Sequence, residues 1–517
     1  MSKSRIVGID LGTTYSAVAV VNRHGQPELL PNREGEYLTA SVVFFDGEAP
    51  VVGTAAKNLA IVEPENVVQF VKRHMGESSW KFITEAGSEY SAEEISAIIL
   101  RRLADDAAAA LGEPIDRAVI TVPAYFKDAE RQATRDAGKM AGLDVVRIVN
   151  EPTAAALAFG SQGDFKGRVV VYDLGGGTFD VTVLDVSEGE LRALSTGGDR
   201  SLGGVDWDNE LISWLDESFV NGGGKSLLDD PRSLQELREK AEKAKLTLSQ
   251  LSTTKIVLSH EGSQQTIEVT REHFEELTRG LLNRTQVILE ETLEDAGLRW
   301  PDVSRVLLVG GSTKMPAVAT LVQSITGLAP SKEVHPDEVV ALGAAILAEV
   351  TIHEESASAG HEAAARGAEE TGLVEVNISD VTAHSLGLSI VNTQTGQLYN
   401  DIVIERGTSL PCRQEKSYFT VRDNQTQWEV KVNQGEEEDL KFATSVGTGT
   451  IHLDRPLSNR YPIRVDFSYD VDGLIHIDAF DGQTGLHWGE VEIRRSSNLS
   501  DAEVDERTQR IADLSVG

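Results

Sequence analysis

One cysteine, Cys412, stands in 517 residues. An internal disulfide is thereby excluded, and a reducing compartment fits. Long apolar runs are missing too: none approaches the roughly 18 residues of a membrane span. Lys3 and Arg5 precede a short one, but Asp10 breaks it too early for a secretory leader. Positive charge is scarce, with 48 Lys and Arg against 82 Asp and Glu and a net charge of -34. That balance argues against broad binding to nucleic acid or to an anionic membrane surface. A cytoplasmic protein of two to four domains is expected, at about 150 residues per domain, with neither nucleic acid nor membrane as a partner.

What the chain does hold is one supersecondary unit used twice. Arg168 to Asp185 reads as a strand (Val169 to Tyr172), Asp173, a turn of three glycines and Thr178, and an alternating strand through Val181 and Val183. Arg5 to Val21 repeats the plan, with Asp10 leading into Gly12, Thr13 and Thr14. Turns of glycine and threonine leave amides and hydroxyls open to an anion. An Asp at the end of each strand can hold a divalent cation or its waters beside that anion. Either turn alone is explained as ordinary hairpin chemistry. Two of the same composition, each with an Asp in register, are better explained as a clamp on a polyphosphate and its metal.

From Ile6 to about Ala348 strand-like and helix-like runs alternate, the pattern of an α/β domain. Lys72 and Arg73 sit together in Gln69 to His74, and a solvated basic edge accounts for them. Ala118 to Val122 is a strand ending at Pro123; a helix follows from Asp128, with Gly142 as its stop. Val145 to Val149 is a further strand. Pro152 at the start and Gly160 at the end delimit the helix Thr153 to Phe159. Glu151 then stands at the mouth of the turn, as a helix-start acid or as a catalytic one. Ser233 to Gln250 carries an apolar stripe of Leu234, Leu237, Ala241, Ala244 and Leu248; Glu242 and Lys245 lie off it, as on a solvated face. Asn221 to Ser226 imitates a phosphate loop but has Phe219 where the leading glycine is needed, so it reads as a mobile surface loop. Val306 to Val309 runs into Gly310, Gly311, Ser312, Thr313 and Lys314, offering amides at a helix start.

Between His353 and Gly372 no large apolar residue occurs, so this stretch is a linker, partly helical from Glu362 to Arg366. Beyond it the alternation Trp428, Val430, Val432 and Ile475, Ile477, Ala479, with Asp472-Gly473 as a turn, indicates an antiparallel β domain up to about Ile493. Ser500 and Glu503 form a capping box opening a polar helix.

Together these pieces resemble the seventy-kilodalton heat-shock chaperone family over most of the chain. The resemblance rests on Gly8-Ile-Asp-Leu-Gly-Thr-Thr14, Val122-Pro-Ala-Tyr-Phe126, Asn150-Glu-Pro-Thr-Ala-Ala-Ala156, Asp173-Leu-Gly-Gly-Gly-Thr-Phe-Asp180 and Leu308-Val-Gly-Gly-Ser-Thr313, in that order. It implies an α/β actin-like two-lobed ATPase domain over 1–350, a polar linker over 351–379, an antiparallel β-sandwich that binds peptides over 380–497, and a short helical tail over 498–517 with the family's helical lid absent. ATP or ADP with Mg2+ would be the cofactors. By the same resemblance Lys72 would orient attacking water, Glu151 and Asp180 would hold the water and metal network, and Asp10 and Asp173 would stand on the metal side, largely through water. Gly12, Thr13, Thr14 and Tyr15 would form one phosphate loop and Gly176, Gly177 and Thr178 the other. Glu242 and Lys245 would contact adenosine, with Gly311, Ser312, Thr313 and Lys314 as the last nucleotide turn. Leu388, Ile390, Val421, Trp428 and Val430 would line the peptide site. A J-domain cochaperone, near Arg147, and a nucleotide exchange factor are implied partners.

The chain departs from that pattern in places. Its interdomain segment, Val374 to Asp380, is diluted with polar residues, so less apolar area is available for docking, and coupling is expected to be weaker or to use a different surface. Trp428 replaces a small aliphatic; pointing inward it would fill the peptide pocket, pointing outward it would not. Without a lid, bound peptide should exchange fast, and the shorter Ser78 to Ser91 stretch alters the exchange-factor side. An ATP-driven chaperone for unfolded segments is therefore weighed against an ATP-switched module that recognises one folded partner. A small-molecule kinase is a third reading, opposed by the linker and β domain.

Overall fold

The computed structural model describes residues 5–46, 49–160, 165–187, 189–331, 335–358, 377–392, 394–470, 475–493, 499–514 and 516–517. Two sheets of the same plan organise the first part of the chain. In one, Ile6–Asp10 pairs antiparallel with Tyr15–Val21 and parallel with Arg117–Val122. In the other, Gly167–Leu174 pairs antiparallel with Phe179–Ser187 and parallel with Arg305–Val309. Each sheet continues through a further antiparallel strand, Pro27–Leu29 in the first and Glu190–Asp199 in the second. The repeat visible in the sequence is thus a repeat of topology. Val169, Val170 and Val171 are all fully buried, as a strand covered on both faces requires, which is why that run is continuously apolar.

Two apolar helices, Glu151–Gly160 and Val339–Ser358, pack on one another. Glycine is obligatory at their crossing: a Cβ on Gly343 would lie 1.7 Å from the Ala154 carbonyl oxygen. Gly8 lets the same helix lie against the first strand, since a Cβ there would meet the Ala345 nitrogen at 2.2 Å. The long helix runs past residue 350 to Ser358, so the start of the expected linker is helical. The reading of Glu362 to Arg366 lies outside the described residues.

Asn377–Ser379 adds a parallel edge strand to the second sheet, paired with Glu190, Leu191 and Arg192. Backbone pairing of this kind does not depend on apolar side chains, so the polar dilution of the segment does not prevent docking. Asn221 to Ser226 is a surface turn, but Asp216 ties it down, accepting from the Leu227 amide at 2.6 Å and the Ser226 hydroxyl at 3.0 Å.

The β region comprises two antiparallel four-stranded sheets. Leu386, Val432, Phe467 and Ile477 from the two sheets share one core. The turn at Asp472-Gly473 lies outside the described residues. This region touches both lobes. Tyr469 donates to Asp128 at 2.5 Å, Thr153 donates to Asp380 at 2.7 Å, and Arg406 pairs with Asp295 at 2.8 Å. The helix Asp501–Ala512 has the expected Ser500–Glu503 capping box. It is amphipathic: Val504 and Ile511 join the first-lobe core, while Arg507 and Arg510 pair with Glu94. Among the described residues no helix is long and apolar enough to cross a membrane.

Candidate functional site

The two glycine–threonine turns meet. A Cβ on Gly176 would lie 2.5 Å from the Thr14 side chain, and one on Gly177 would lie 2.5 Å from Thr13. Only glycine lets the turns approach so closely. Around them opens a cavity of about 520 Å³. Its wall takes Asp10, Gly12, Thr13, Thr14, Tyr15, Lys72, Glu151, Asp173, Gly176 and Thr178 from the expected phosphate end, and Glu242, Lys245, Gly311, Ser312 and Lys314 from the expected nucleoside end. Gly177, Asp180 and Thr313 are not in the wall; they stand behind it. Thr313 spends its hydroxyl on the Gly310 carbonyl at 2.7 Å.

Lys72 is not on a solvated edge. It is 5 % exposed and its Nζ lies 2.5 Å from Glu151 Oε1. The turn Val71–His74 that places it follows Phe70, a non-glycine residue in the left-handed region at φ 59°. Such a conformation costs on the order of 1 kcal/mol.

Three further carboxylates surround that pair, Asp173 and Asp180 buried and Asp10 half-buried. Burial first, then the Glu151 charge, push Asp10 up to about 7, although Thr121 donates to it at 3.0 Å. Asp180 is pushed up to about 7 by the same two causes in the same order, against the Tyr125 amide that donates to it at 2.8 Å. Asp173 is raised well above the usual carboxylate range by burial, then by Glu151, Asp180 and Asp10. One ammonium does not neutralise four acids. A hard divalent cation would offset two more of these charges, and oxygen donors of this type suit Mg2+. Among the described residues no three such side chains converge as a ready-made cage.

At the other end Glu242 and Lys245 are likewise not a solvated face. Lys245 is buried and donates to Asp208 at 2.7 Å and to the Gly204 carbonyl at 2.8 Å. Lys57 reaches Glu242 at 2.6 Å and the Tyr15 hydroxyl at 3.2 Å, closing the cleft across the lobes. Lys314 pairs with Asp337. Sequence reasoning missed Lys57, Asp208 and Asp337, because nothing in their local spacing marks a partner far along the chain. The Lys57–Glu242 pair is partly exposed, so its contribution is about 1 kcal/mol. Lys57→Ala is expected to speed release of a fluorescent nucleotide roughly fivefold, read by stopped flow; an unchanged off-rate would show that the pair does not gate the cleft.

Of the five expected peptide residues, four share the core-facing side of one sheet. Leu388 and Val430 are fully buried, and Ile390 and Trp428 pack against the same core. Trp428 therefore points inward, its ring 6.1 Å from that of Tyr418 on the facing sheet. Val421 stands apart from them and is exposed. Arg147 is half-buried on the strand Asp144–Asn150.

Two lobes of like topology over one glycine-walled, acid-floored cleft, with an antiparallel β region attached, define a mixed α/β protein of several sheets. The chain has a family: the model for Hsp70 protein matches residues 6–514, nearly its whole length. The protein belongs to the Hsp70 family. Members of that family are ATPases that bind ATP or ADP with Mg2+ and act as chaperones on polypeptide together with cochaperones.

Proposed function

We propose that this chain hydrolyses Mg-ATP in the cleft and that the nucleotide state governs what its β-sandwich holds. The observation that carries the reading is the contact of the two turns beside the buried Lys72–Glu151 pair. Phosphoryl transfer to water needs positioning and charge neutralisation more than covalent chemistry. Lys72 orients the attacking water and offsets charge at the terminal phosphate, while Glu151 and Asp180 hold the water network. Asp10 and Asp173 hold Mg2+, largely through water; when bound, the ion supplies neutralising charge to the phosphates. Gly12 to Tyr15 and Gly176 to Thr178 cradle the phosphates; Glu242, Lys245 and Gly311 to Lys314 take the nucleoside. The division proposed is an actin-like ATPase unit over 1–350, a connecting segment over 351–379, the sandwich over 380–497 and the tail over 498–517. A cytoplasmic setting, a J-domain cochaperone near Arg147 and an exchange factor complete the proposal.

A second reading is favoured by one observation, the inward packing of Trp428 among the expected pocket residues. In that reading the β-sandwich recognises one folded partner. Phosphate release with and without an unfolded protein, beside Trp428→Val, separates the two. The chaperone reading expects a rate several-fold higher with unfolded protein. Hydrolysis that neither form accelerates supports the second reading, and a phosphorylated metabolite in place of free phosphate would overturn both.

A further inference from the structure

Arg73 sits beside Lys72 and lies outside the cavity wall, yet it reaches across to the other lobe. Its Nε and Nη2 donate to the Gly177 carbonyl at 3.1 and 2.9 Å. Its Nη1 donates to Asp206 at 3.2 Å, and Nη2 also pairs with that carboxylate. Asp206 in turn accepts from the Gly203 amide at 2.8 Å, at the start of the helix Gly204–Asn221.

The three glycine carbonyls of the turn are thus held one after another. That of Gly175 accepts from the Gly204 amide at 3.0 Å and the Ser312 hydroxyl at 2.8 Å, and that of Gly176 accepts from the Val205 amide at 2.9 Å. These donors belong to the same lobe as the turn. Only the third carbonyl, on Gly177, is held from the opposite lobe. In a trans peptide the C=O and the following N–H point in opposite directions. Holding each carbonyl therefore fixes the direction of the amide that follows it, at Gly176, Gly177 and Thr178 in turn, and amides fixed in this way are what an anion-binding nest is built from. A charge-assisted bond to the Gly177 carbonyl also polarises the Thr178 N–H.

We infer that Arg73 is a positioning residue that completes the phosphate nest only while the lobes are closed, fixing the Gly177–Thr178 peptide from behind. The inference rests on the proposed nucleotide site. Lobe closure and phosphate grip would then be one event: separating the lobes withdraws the guanidinium and leaves the third peptide free to turn. Lysine should substitute poorly, because its ammonium is a single point donor, whereas the planar guanidinium gives two N–H groups to the Gly177 carbonyl and, at the same time, two contacts to the Asp206 carboxylate.

The test uses the full chain with Arg73→Ala and Arg73→Lys. Hydrogen exchange of nucleotide-free protein is read at the Gly175 amide, which donates to the Thr178 carbonyl across the turn at 3.0 Å, with the strand Gly167–Leu174 as internal reference. Both variants should exchange roughly tenfold or more faster in the turn, the loss of one charge-assisted bond, with the reference strand unchanged. Affinity for Mg-ADP should fall by a similar factor while affinity for adenosine holds, and added guanidinium should restore the Ala variant. Unchanged exchange in the turn would overturn the inference, as would equal loosening of the reference strand, or full recovery in Arg73→Lys. Should the Ala variant fail to fold, the Lys variant carries the same readings. A wild-type chain that does not bind Mg-ADP would sink the proposed function, while the exchange measurement still judges Arg73.

Discussion

Lys72→Ala should slow single-turnover release of phosphate by roughly two orders of magnitude, the loss expected when one preorganised charge is removed from a water-poor site. The reason lies in the balance of the pocket. Lys72 faces Glu151 at 2.5 Å, with Asp173 and Asp180 buried around them and Asp10 half-buried beside them. The ammonium orients water and is also the nearest cation to that group of acids. Its removal leaves Glu151 buried without its partner, which costs on the order of 3–5 kcal/mol where the protein cannot relax. Two measurements keep rate and stability apart. Thermal unfolding of Lys72→Ala should fall and recover in saturating Mg-ADP, while the slow single turnover should persist in the nucleotide-bound protein. Lys72→Met, which keeps the apolar stem, should be as slow as the Ala variant. A wild-type rate in either would give Lys72 another task, and a slow rate that tracks only loss of folded protein would make the pair structural.

The duplicated hairpins were legible in the sequence because their chemistry is local. Asp10 and Asp173 end strands, glycines follow, and the alternation of the next strand is read directly. The long helix Pro231–Gln250 was legible for the same reason: Leu237, Ala241, Ala244 and Leu248 recur at helical spacing and are buried. What failed was the solvated-face reading of Lys72, Lys245 and Glu242 taken alone. Lys72, Lys245 and Glu242 look solvated until a partner from far along the chain is set against them. Glu151 lies 79 residues from Lys72, and Glu242 lies 185 from Lys57. Spacing carries no trace of such pairs. The helix Asp501–Ala512 is polar as its composition reads, but the two apolar residues that dock it, Val504 and Ile511, one heptad apart, were too few to mark a buried side. Trp428 falls between these cases. Its alternation with Val430 and Val432 placed it on their face, but which face was inward required the second sheet.

Acidification should release the β region from the lobes, and His384 is the group that sets the range. His384 lies just before the strand Leu386–Val391, 9 % exposed, with its ring 4.3 Å from that of Tyr125 in the first lobe. Its Nε2 is buried without a hydrogen-bond partner. Burial, then the charges of Lys127, Arg406 and Arg131, push the imidazole down to about 4, against a bond to the Tyr125 backbone that raises it. The docked interface therefore holds the neutral ring, and an undocked ring would titrate near its ordinary 6.5. Above pH 6.5 the ring is neutral in both arrangements and its contribution to docking is complete. As pH falls below 6.5 the undocked form takes up the proton first, and by pH 4 about 3 kcal/mol of docking stability has gone. Tyr125 also presents the amide that holds Asp180, so the ring lies one residue from the acids of the cleft. Small-angle scattering across pH 7 to 4 should show the wild-type chain expanding within that range and His384→Leu staying compact to lower pH. Carboxylates elsewhere titrate equally in both proteins, so the difference between the two midpoints isolates the imidazole. Identical midpoints would mean that the contact between Tyr125 and His384 does not hold the β region in place, and that Tyr469, Arg406 and the paired strand Asn377–Ser379 suffice.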